Sequence, residues 1–272
     1  MDDRRICAVI PAAGQGTRLG LDVPKIMTEI ADGTTVWHLL HRRLRPWTDH
    51  IHVVLSPAGH GPFQELAADE IARGAVSVSV QHTPTGMGDA IFGAAPHWRP
   101  YESILIVWGD QANLSPRTVR RVVHAHRGDD PAGAPADAPA GSPAADAARP
   151  ALTLPLVPLP DPYVEYELTG PALTRVRMSR EGDDCRPGGL SDVGVFCLST
   201  GGLTAAWRDY LAGAAPGTAT GEVNFLPFLP HLSRDRGWRT TVVPVTDPDE
   251  ARGVNTPADL EFVRRAFLRS TR

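Results

Sequence analysis

Ile6-Cys-Ala-Val-Ile-Pro-Ala-Ala-Gly-Gln-Gly-Thr-Arg-Leu-Gly-Leu-Asp-Val-Pro-Lys25 runs from six apolar residues, through a small-residue turn, to a lysine. Ile6–Pro11 is a continuous apolar run closed by glycine, the pattern of a strand buried on both faces of a parallel sheet. Ala12, Ala13, Gly14 and Gly16 carry little or no side chain. Backbone there can approach a ligand and aim its N–H groups at phosphate oxygens. Arg18 and Lys25 add cations able to neutralise a triphosphate. Of the 27 Lys and Arg residues, Lys25 is the only lysine. Lysine offers a compact ammonium on a flexible stem where arginine offers a planar fork, so this one position keeps a point charge. The segment contains neither G-x-x-x-x-G-K-[ST] nor G-x-G-x-x-G, which removes the two commonest phosphate-loop readings.

Outward from that strand, apolar runs alternate with helical periodicity. Strands are expected at Ile51–Leu55, Val76–Gln81 and Ser103–Trp108, and helices near 34–47, 62–73, 88–98 and 115–127. Ser115-Pro116 supplies a helix N-cap followed by proline in the first turn. This alternation argues for a doubly wound α/β sheet with helices on both faces. Gly128–Pro150 is almost wholly Ala, Pro, Gly and Asp, and is expected to be a disordered surface loop. Short strands follow at Leu152–Leu159, Tyr163–Leu168, Leu173–Met178 and Val193–Leu198, helices near 203–211 and 225–234, and a strand at Thr240–Val245. The last helix starts with Thr256 as N-cap, Pro257 in the first turn and Asp259 near the positive end of the dipole.

Composition narrows the function. The chain has 272 residues, 42% hydrophobic and 21% charged, as expected for one large globular domain. A net charge of −4 leaves no electrostatic footprint for nucleic acid or an anionic membrane. Cys7, Cys185 and Cys197 show no metal-like spacing, which suits reduced thiols and a cytoplasmic location. No apolar stretch is long enough to span a bilayer. His38 and His41 read as surface or interface residues, His124 and His126, two apart on a helix, do not face each other, and Trp98, Trp207 and Trp238 read as core or interface aromatics.

Two further polar positions matter. Asp110 ends a buried parallel strand, on the sheet edge where open α/β folds bind ligands; alone it could be a turn or cap residue. Asn255, in Gly253-Val-Asn255-Thr-Pro, could be part of a helix cap. Its amide oxygen is also a suitable ligand for Mg2+, which takes oxygen donors.

With Ala12-Ala-Gly-Gln-Gly-Thr-Arg-Leu, Pro24-Lys25, Gln81 with Thr85-Gly86, Gly109-Asp110, Asp192-Val-Gly194, Gly221-Glu222 and Gly253-Val-Asn255, the chain resembles sugar-1-phosphate nucleotidyltransferases of the GT-A-like type. The nearest resemblance is to the uridylyltransferase domain of the bifunctional N-acetylglucosamine-1-phosphate enzyme. The resemblance implies a Rossmann-like, doubly wound mixed sheet with a small β-rich acceptor-binding insertion, here residues 151–235 of a single domain spanning 1–272. It implies that Ala12, Ala13 and Gly14 meet base and ribose, and that Gly16, Thr17, Arg18 and Lys25 hold the phosphates. Gln81, Thr85 and Gly86 would read the base, and Asp110 with Asn255 would bind Mg2+. Arg18, Lys25 and Asp110 would be catalytic, and Tyr163, Asp192, Glu222 and Asn224 would line the acceptor site. No hexapeptide repeat is present, so no second, acetyltransferase activity is implied.

The chain departs from that pattern at several points. Pro84-Thr-Gly-Met-Gly-Asp-Ala90 is longer than the family's segment, which leaves the base open. Met178, Asp192, Tyr163-Val164 and Gly221-Glu-Val-Asn-Phe-Leu change the acceptor pocket at four points, against N-acetylglucosamine 1-phosphate. A carboxylate at Asp192 suits an amino-sugar acceptor, or else it bonds a hydroxyl pair or local backbone. The expected reaction joins an NTP, UTP first, to a sugar 1-phosphate and releases pyrophosphate. The rivals are a cytidylyl- or guanylyltransferase with another phosphorylated acceptor, and a non-catalytic nucleotide-binding regulatory subunit. The partners expected are the NTP and the small-molecule acceptor, without nucleic acid or membrane. A homo-oligomer is compatible with all of this.

Overall fold

The computed structural model describes residues 5–14, 24–129 and 150–270. Gly16, Thr17 and Arg18, and all but the ends of 128–150, lie outside the described residues.

After β1 (Ile6–Ala12) come a small hairpin, β2 (Glu29–Ala31) with β3 (Thr34–Thr35), and helix α1 (Val36–Leu44). Next in the chain are β4 (His50–Leu55), α2 (Pro57–Leu66), α3 (Ala68–Ala72) and β5 (Val76–Val80). They are followed by α4 (Met87–Gly93), α5 (Ala95–Trp98), β6 (Ser103–Val107) and α6 (Pro116–Arg127). The second half holds β7 (Ala151–Pro158), β8 (Val164–Thr169), β9 (Ala172–Met178), β10 (Leu190–Asp192) and β11 (Val195–Ser199). It ends with α7 (Leu203–Leu211), β12 (Arg239–Pro244) and α8 (Pro257–Ser270).

Among the described residues, eight strands form one mixed sheet in the order β10-β7-β11-β6-β1-β4-β5, with β12 on β7. β5, β4, β1 and β6 are parallel. β11 runs antiparallel to β6 and β7, and β12 parallel to β7. The fold class expected from the sequence is therefore the one found. Its cause is visible in β1: Ile6, Ala8 and Ile10 enter one core and Cys7 and Val9 the other, so both faces are dry. A strand buried on both sides has to be apolar throughout. α1, α6 and α8 cover the first face, and α4, α5 and α7 the second.

The chain order puts β4 and β5 on one side of β1 and β6 on the other. The loops leaving β1 and β6 thus diverge, and they open a crevice at the carboxyl ends of adjacent strands.

Local differences from the sequence reading have local causes. Asp32 (φ 48°) and Gly33 (φ 73°) form the two-residue turn between β2 and β3, the Asp-Gly hairpin signal that had been passed over. α2 begins at Pro57, five residues before the expected start, because Ser56 caps it by accepting from Gly59 N. The helix expected at 225–234 shrinks to one turn at Phe228–Pro230 followed by a π-helical turn at His231–Asp235. Pro227 and Pro230 remove the donors a regular helix needs there. Finally β10 and β11 are nearly one strand, broken at Gly194 (φ 74°). A Cβ at Gly194 would stand 2.4 Å from Gln111 Cγ, so only glycine lets the strand bend against the turn after β6.

The second half begins with β7 and adds the β8–β9 hairpin outside the main sheet. Glu165, almost fully buried, ties its base by accepting from Arg186 N at 2.9 Å and Arg186 Nε at 2.6 Å. Burial opposes ionisation, but those bonds and the nearby Arg177 hold the Glu165 carboxyl below its usual range. Cys7, Cys185 and Cys197 are free thiols. Trp98, Trp207 and Trp238 are all buried. Among the described residues no helix is long and apolar enough to cross a membrane.

Candidate active site

Three segments meet at the carboxyl ends of β1 and β6. Lys25 heads a single 3-10 turn, Lys25–Met27, which Ile26 anchors in the core. Asp110 lies in the tight turn after β6, where Gln111 N donates to Trp108 O at 3.2 Å and Ala112 N to Asp110 O at 2.9 Å. Asn255 precedes α8. Val254 N donates to Asp110 O at 2.9 Å and so pins the second segment to the third. Lys25 Nζ then bridges them, donating to Asp110 Oδ2 at 3.2 Å and to Asn255 Oδ1 at 2.5 Å. The Lys25 and Asp110 side chains are 23% and 19% exposed, partly shielded but open to a ligand. Gly253 leaves the carboxylate its room, since a Cβ there would lie 3.1 Å from Asp110 Cγ. Sequence reasoning had assigned these three side chains from separate segments, and the structure brings them to one point.

Ala12 also has a packing role. It is buried against Gly109, where an added Cβ would come within 3.0 Å of Ala12 Cβ. This close approach of backbones holds the β1 and β6 loops together.

The carboxylate of Asp259 sets Asn255. Oδ2 accepts from Asn255 N (3.2 Å), Thr256 N (2.9 Å) and Thr256 Oγ1 (2.8 Å), while Arg252 Nε donates to Oδ1 at 2.7 Å. Thr256 Oγ1 in turn accepts from Asp259 N, so the expected cap is present and reciprocal. Asp259→Ala should cost about 1 kcal/mol of stability, the usual worth of an N-terminal cap. It should also lower turnover, because Asn255 loses its backbone anchor. Urea denaturation and initial rates check both, and full turnover with reduced stability would confine Asp259 to capping.

Past the carboxyl ends of β1, β4 and β5, on the same edge of the sheet, lies a cavity of about 480 Å³ whose wall includes Ala13, Gly14, Gln81, Gly86 and Glu222. Gln81 Nε2 donates to Gly86 O at 3.0 Å and faces Thr85 Oγ1 at 3.5 Å, so four of the expected nucleotide residues and the side chain of a fifth act together. Gly86 (φ 113°) is required twice over, by its backbone and by Glu222, whose Oε2 would sit 3.1 Å from an added Cβ. Pro11, Ser56, Pro57, His82, Pro84, Met87 and Ala90 complete the wall; Pro84, Met87 and Ala90 belong to the segment whose length leaves the base open, whereas Ser56, Pro57 and His82 carry no mark of a ligand site in the sequence. Gly88 meets Trp207, with 2.4 Å between a Cβ and Cη2, which explains the second glycine of the Pro84–Ala90 segment.

The four expected acceptor residues each have their own local partners. Glu222 lines the cavity with Gln81 and Gly86. Asn224 Nδ2 donates to Glu181 Oε1 at 3.1 Å, within a hub where Glu181 also accepts from Ala219 N and Thr220 Oγ1. Tyr163 is 57% exposed at the mouth of the β8–β9 hairpin. Asp192 Oδ2 accepts from Tyr166 Oη at 2.9 Å and Oδ1 from Gly194 N at 2.7 Å. Of the alternatives open for Asp192, bonding to a hydroxyl and local backbone is the one the geometry contains. Burial pushes its carboxyl above the ordinary range, and the bonds from Tyr166 and Gly194 pull the other way. Gln111, unmarked in the sequence, is buried beside Asp110, and its Oε1 has no hydrogen-bond partner among the described residues.

Residues 8–159, more than half of the chain, match the MobA-like NTP transferase domain. The chain belongs to that family. The matched span takes in Lys25, the Gln81–Gly86 segment and Asp110. Two solved structures share the fold. One is a nucleotidyl transferase from Methanothermobacter thermautotroptrophicus, with 21% identity, a TM-score of 0.58, and 98% of this chain and 99% of that one covered. The other, described as a glucose-1-phosphate thymidylyltransferase from Bacillus anthracis, has 11% identity, a TM-score of 0.69, and 96% and 94% covered. This chain is thus a nucleotidyltransferase of the MobA-like family. The match is to that wider family and does not single out the uridylyltransferase of the sequence resemblance.

Proposed function

We propose that this MobA-like transferase joins an NTP to a sugar 1-phosphate with the help of Mg2+, releasing pyrophosphate. The observation that carries the reading is the convergence of Lys25, Asp110 and Asn255 on one point, on the same sheet edge as the Gln81–Gly86 cavity. The donor set suits a hard cation: one carboxylate and one amide oxygen already share a positive charge, that of Lys25. When bound, Mg2+ would neutralise charge on the triphosphate as pyrophosphate departs. An oxygen of the acceptor phosphate attacks the α-phosphorus, the bond to the β-phosphate oxygen breaks, and no covalent enzyme intermediate forms. The chain's own part is to position and to neutralise. Lys25 holds the phosphates, Ala13 and Gly14 let backbone approach the nucleoside, and Gln81 with Gly86 reads the base.

UTP is the leading nucleotide by the sequence resemblance, and residues 151–235 are the proposed acceptor half. One observation favours a second reading, a cytidylyl- or guanylyltransferase. Glu222 places a carboxylate in the base cavity, with no protein hydrogen bond to its oxygens among the described residues. A carboxylate accepts from an exocyclic amino group, which cytosine and guanine carry and uracil does not. A matrix of the four NTPs against a panel of sugar phosphates, read by pyrophosphate release, tests both readings. Pyrophosphate from no combination would remove the proposal. Glu222→Gln should shift the ratio of kcat/KM for CTP or GTP over UTP by about tenfold if Glu222 reads an amino group, since one such contact is worth about 1–3 kcal/mol. An unchanged ratio leaves UTP as the substrate and Glu222 as wall.

A further inference from the structure

Asp110 and Asn255 are the two side chains assigned to the divalent cation, and here both give their oxygens to one ammonium. Lys25 Nζ lies 3.2 Å from Asp110 Oδ2 and 2.5 Å from Asn255 Oδ1. Mg2+ sits at roughly 2.0–2.1 Å from its oxygens and tolerates little distortion of its octahedron. An ion at that distance from both oxygens would fall in the space the ammonium fills, and two cations in contact repel. The two oxygens can therefore serve one cation at a time.

The local build permits an exchange. Ile26 is fully buried and fixes the turn, while Lys25 keeps a quarter of its side chain exposed on a flexible stem. The stem can swing while the backbone stays. Gly253 packs against the carboxylate's flank without a side chain, where a Cβ would lie 3.1 Å from Asp110 Cγ and crowd any movement of that group. An arginine at this position would grip Asp110 with two parallel bonds and release it less readily. In a chain whose other basic residues are all arginine, that difference gives the lone lysine a reason.

We propose that Lys25 occupies the metal position in the free protein and leaves it only when a nucleoside triphosphate arrives. The proposal rests on the nucleotidyl-transfer reading above. The triphosphate offers the ammonium a new set of anionic oxygens, and Asp110 and Asn255 pass to the metal that accompanies the nucleotide. Without nucleotide, Lys25 neutralises the carboxylate, and the free protein has little affinity for divalent cations. Nucleotide and metal then tighten one another's binding by the same factor, as linkage requires.

Binding of Mn2+, followed by electron paramagnetic resonance, tests the exchange in wild type, Lys25→Met, Lys25→Gln and Lys25→Met/Asp110→Asn. Each is measured alone and with each of the four α,β-methylene nucleoside triphosphates, after thermal melts show which variants fold; Lys25→Gln replaces Lys25→Met if the latter does not. Without nucleotide, Lys25→Met should bind Mn2+ about tenfold or more tightly than wild type, within the range of ordinary coupling factors. The added Asp110→Asn should abolish that gain, and wild type should acquire Mn2+ affinity with nucleotide. Equal Mn2+ affinity of nucleotide-free wild type and Lys25→Met overturns the proposal, as does a gain that survives Asp110→Asn. If nucleotide binds but leaves wild-type Mn2+ affinity unchanged, the lysine does not yield and the exchange is wrong. If none of the four nucleotides binds, with or without metal, the nucleotidyl-transfer reading itself falls.

Discussion

Asp110→Ala is expected to lower kcat by on the order of 10²- to 10³-fold while the protein keeps its fold, the usual cost of removing one strong transition-state stabiliser. Asp110 is the only carboxylate bonded to Lys25 among the described residues, and its side chain makes no other hydrogen bond there. The backbone bonds that shape its turn, from Val254 N and Ala112 N to Asp110 O, survive the substitution. Stability should therefore change little, since the ion pair is partly exposed and such pairs contribute about 0–1 kcal/mol. On the proposed reading the Mg2+ concentration needed for half-maximal rate also rises. Steady-state rates across a Mg2+ series, with a thermal melt of the same sample, decide it. Unchanged turnover, or equal rates in EDTA, would remove Asp110 from the chemistry.

The second large effect is acid destabilisation through His52. This ring is fully buried on β4, with Ser77 Oγ 2.8 Å from Nδ1, Ser79 Oγ 2.9 Å from Nε2, and His97 stacked on it at 4.0 Å. Burial, and then the neighbouring His97 and His50, pushes its pKa from 6.5 down to about 3. Between those two values the unfolded chain binds a proton that the native chain refuses. The contribution is thus complete above the unfolded pKa of 6.5 and is lost as pH falls towards 3. At roughly 1.4 kcal/mol per pH unit, about 3 kcal/mol of native stability should go between pH 6.5 and about pH 4. Urea unfolding of wild type and His52→Gln at neutral and acid pH isolates the effect from the carboxylates, which both proteins share. The glutamine variant should be less stable at neutral pH and lose distinctly less on acidification. Parallel losses in the two proteins would show that His52 already titrates normally.

Much of this was legible in the sequence because it is written locally. Ile6–Pro11 announces a strand dry on both faces, Ser115-Pro116 and Thr256-Pro257 announce helix starts, and the small residues after β1 announce a ligand loop. Asp32-Gly33 and Ser56-Pro57 carried equally local signals and were missed for want of weight given to a two-residue turn and a single cap. Other features are beyond any local reading. The pairing of Asp192 with Tyr166 joins residues 26 apart on different strands. Glu222 meets Gly86, and Trp207 of α7 meets Gly88 of α4, each across more than a hundred positions of chain. Gln111 carries no mark of its burial, which the bend at Gly194 imposes from across the sheet. Residue type named the candidates, and tertiary packing sorted the ligand-facing from the structural.

The bridge made by Lys25 also bears on when this molecule becomes competent during its own synthesis. Its two bonds span 85 and 230 positions of chain. A polypeptide emerging amino-terminus first can assemble β1, β4, β5 and β6 early, yet it has no third partner for the lysine until Asn255 has cleared the ribosome. Until then the Asp110 turn lacks Gly253, which packs against its carboxylate, and Val254, whose N–H donates to its carbonyl. The three-way contact is therefore complete only once residues 253–255 have been made, and Asp259, in the helix that follows, then fixes Asn255 through its backbone N–H.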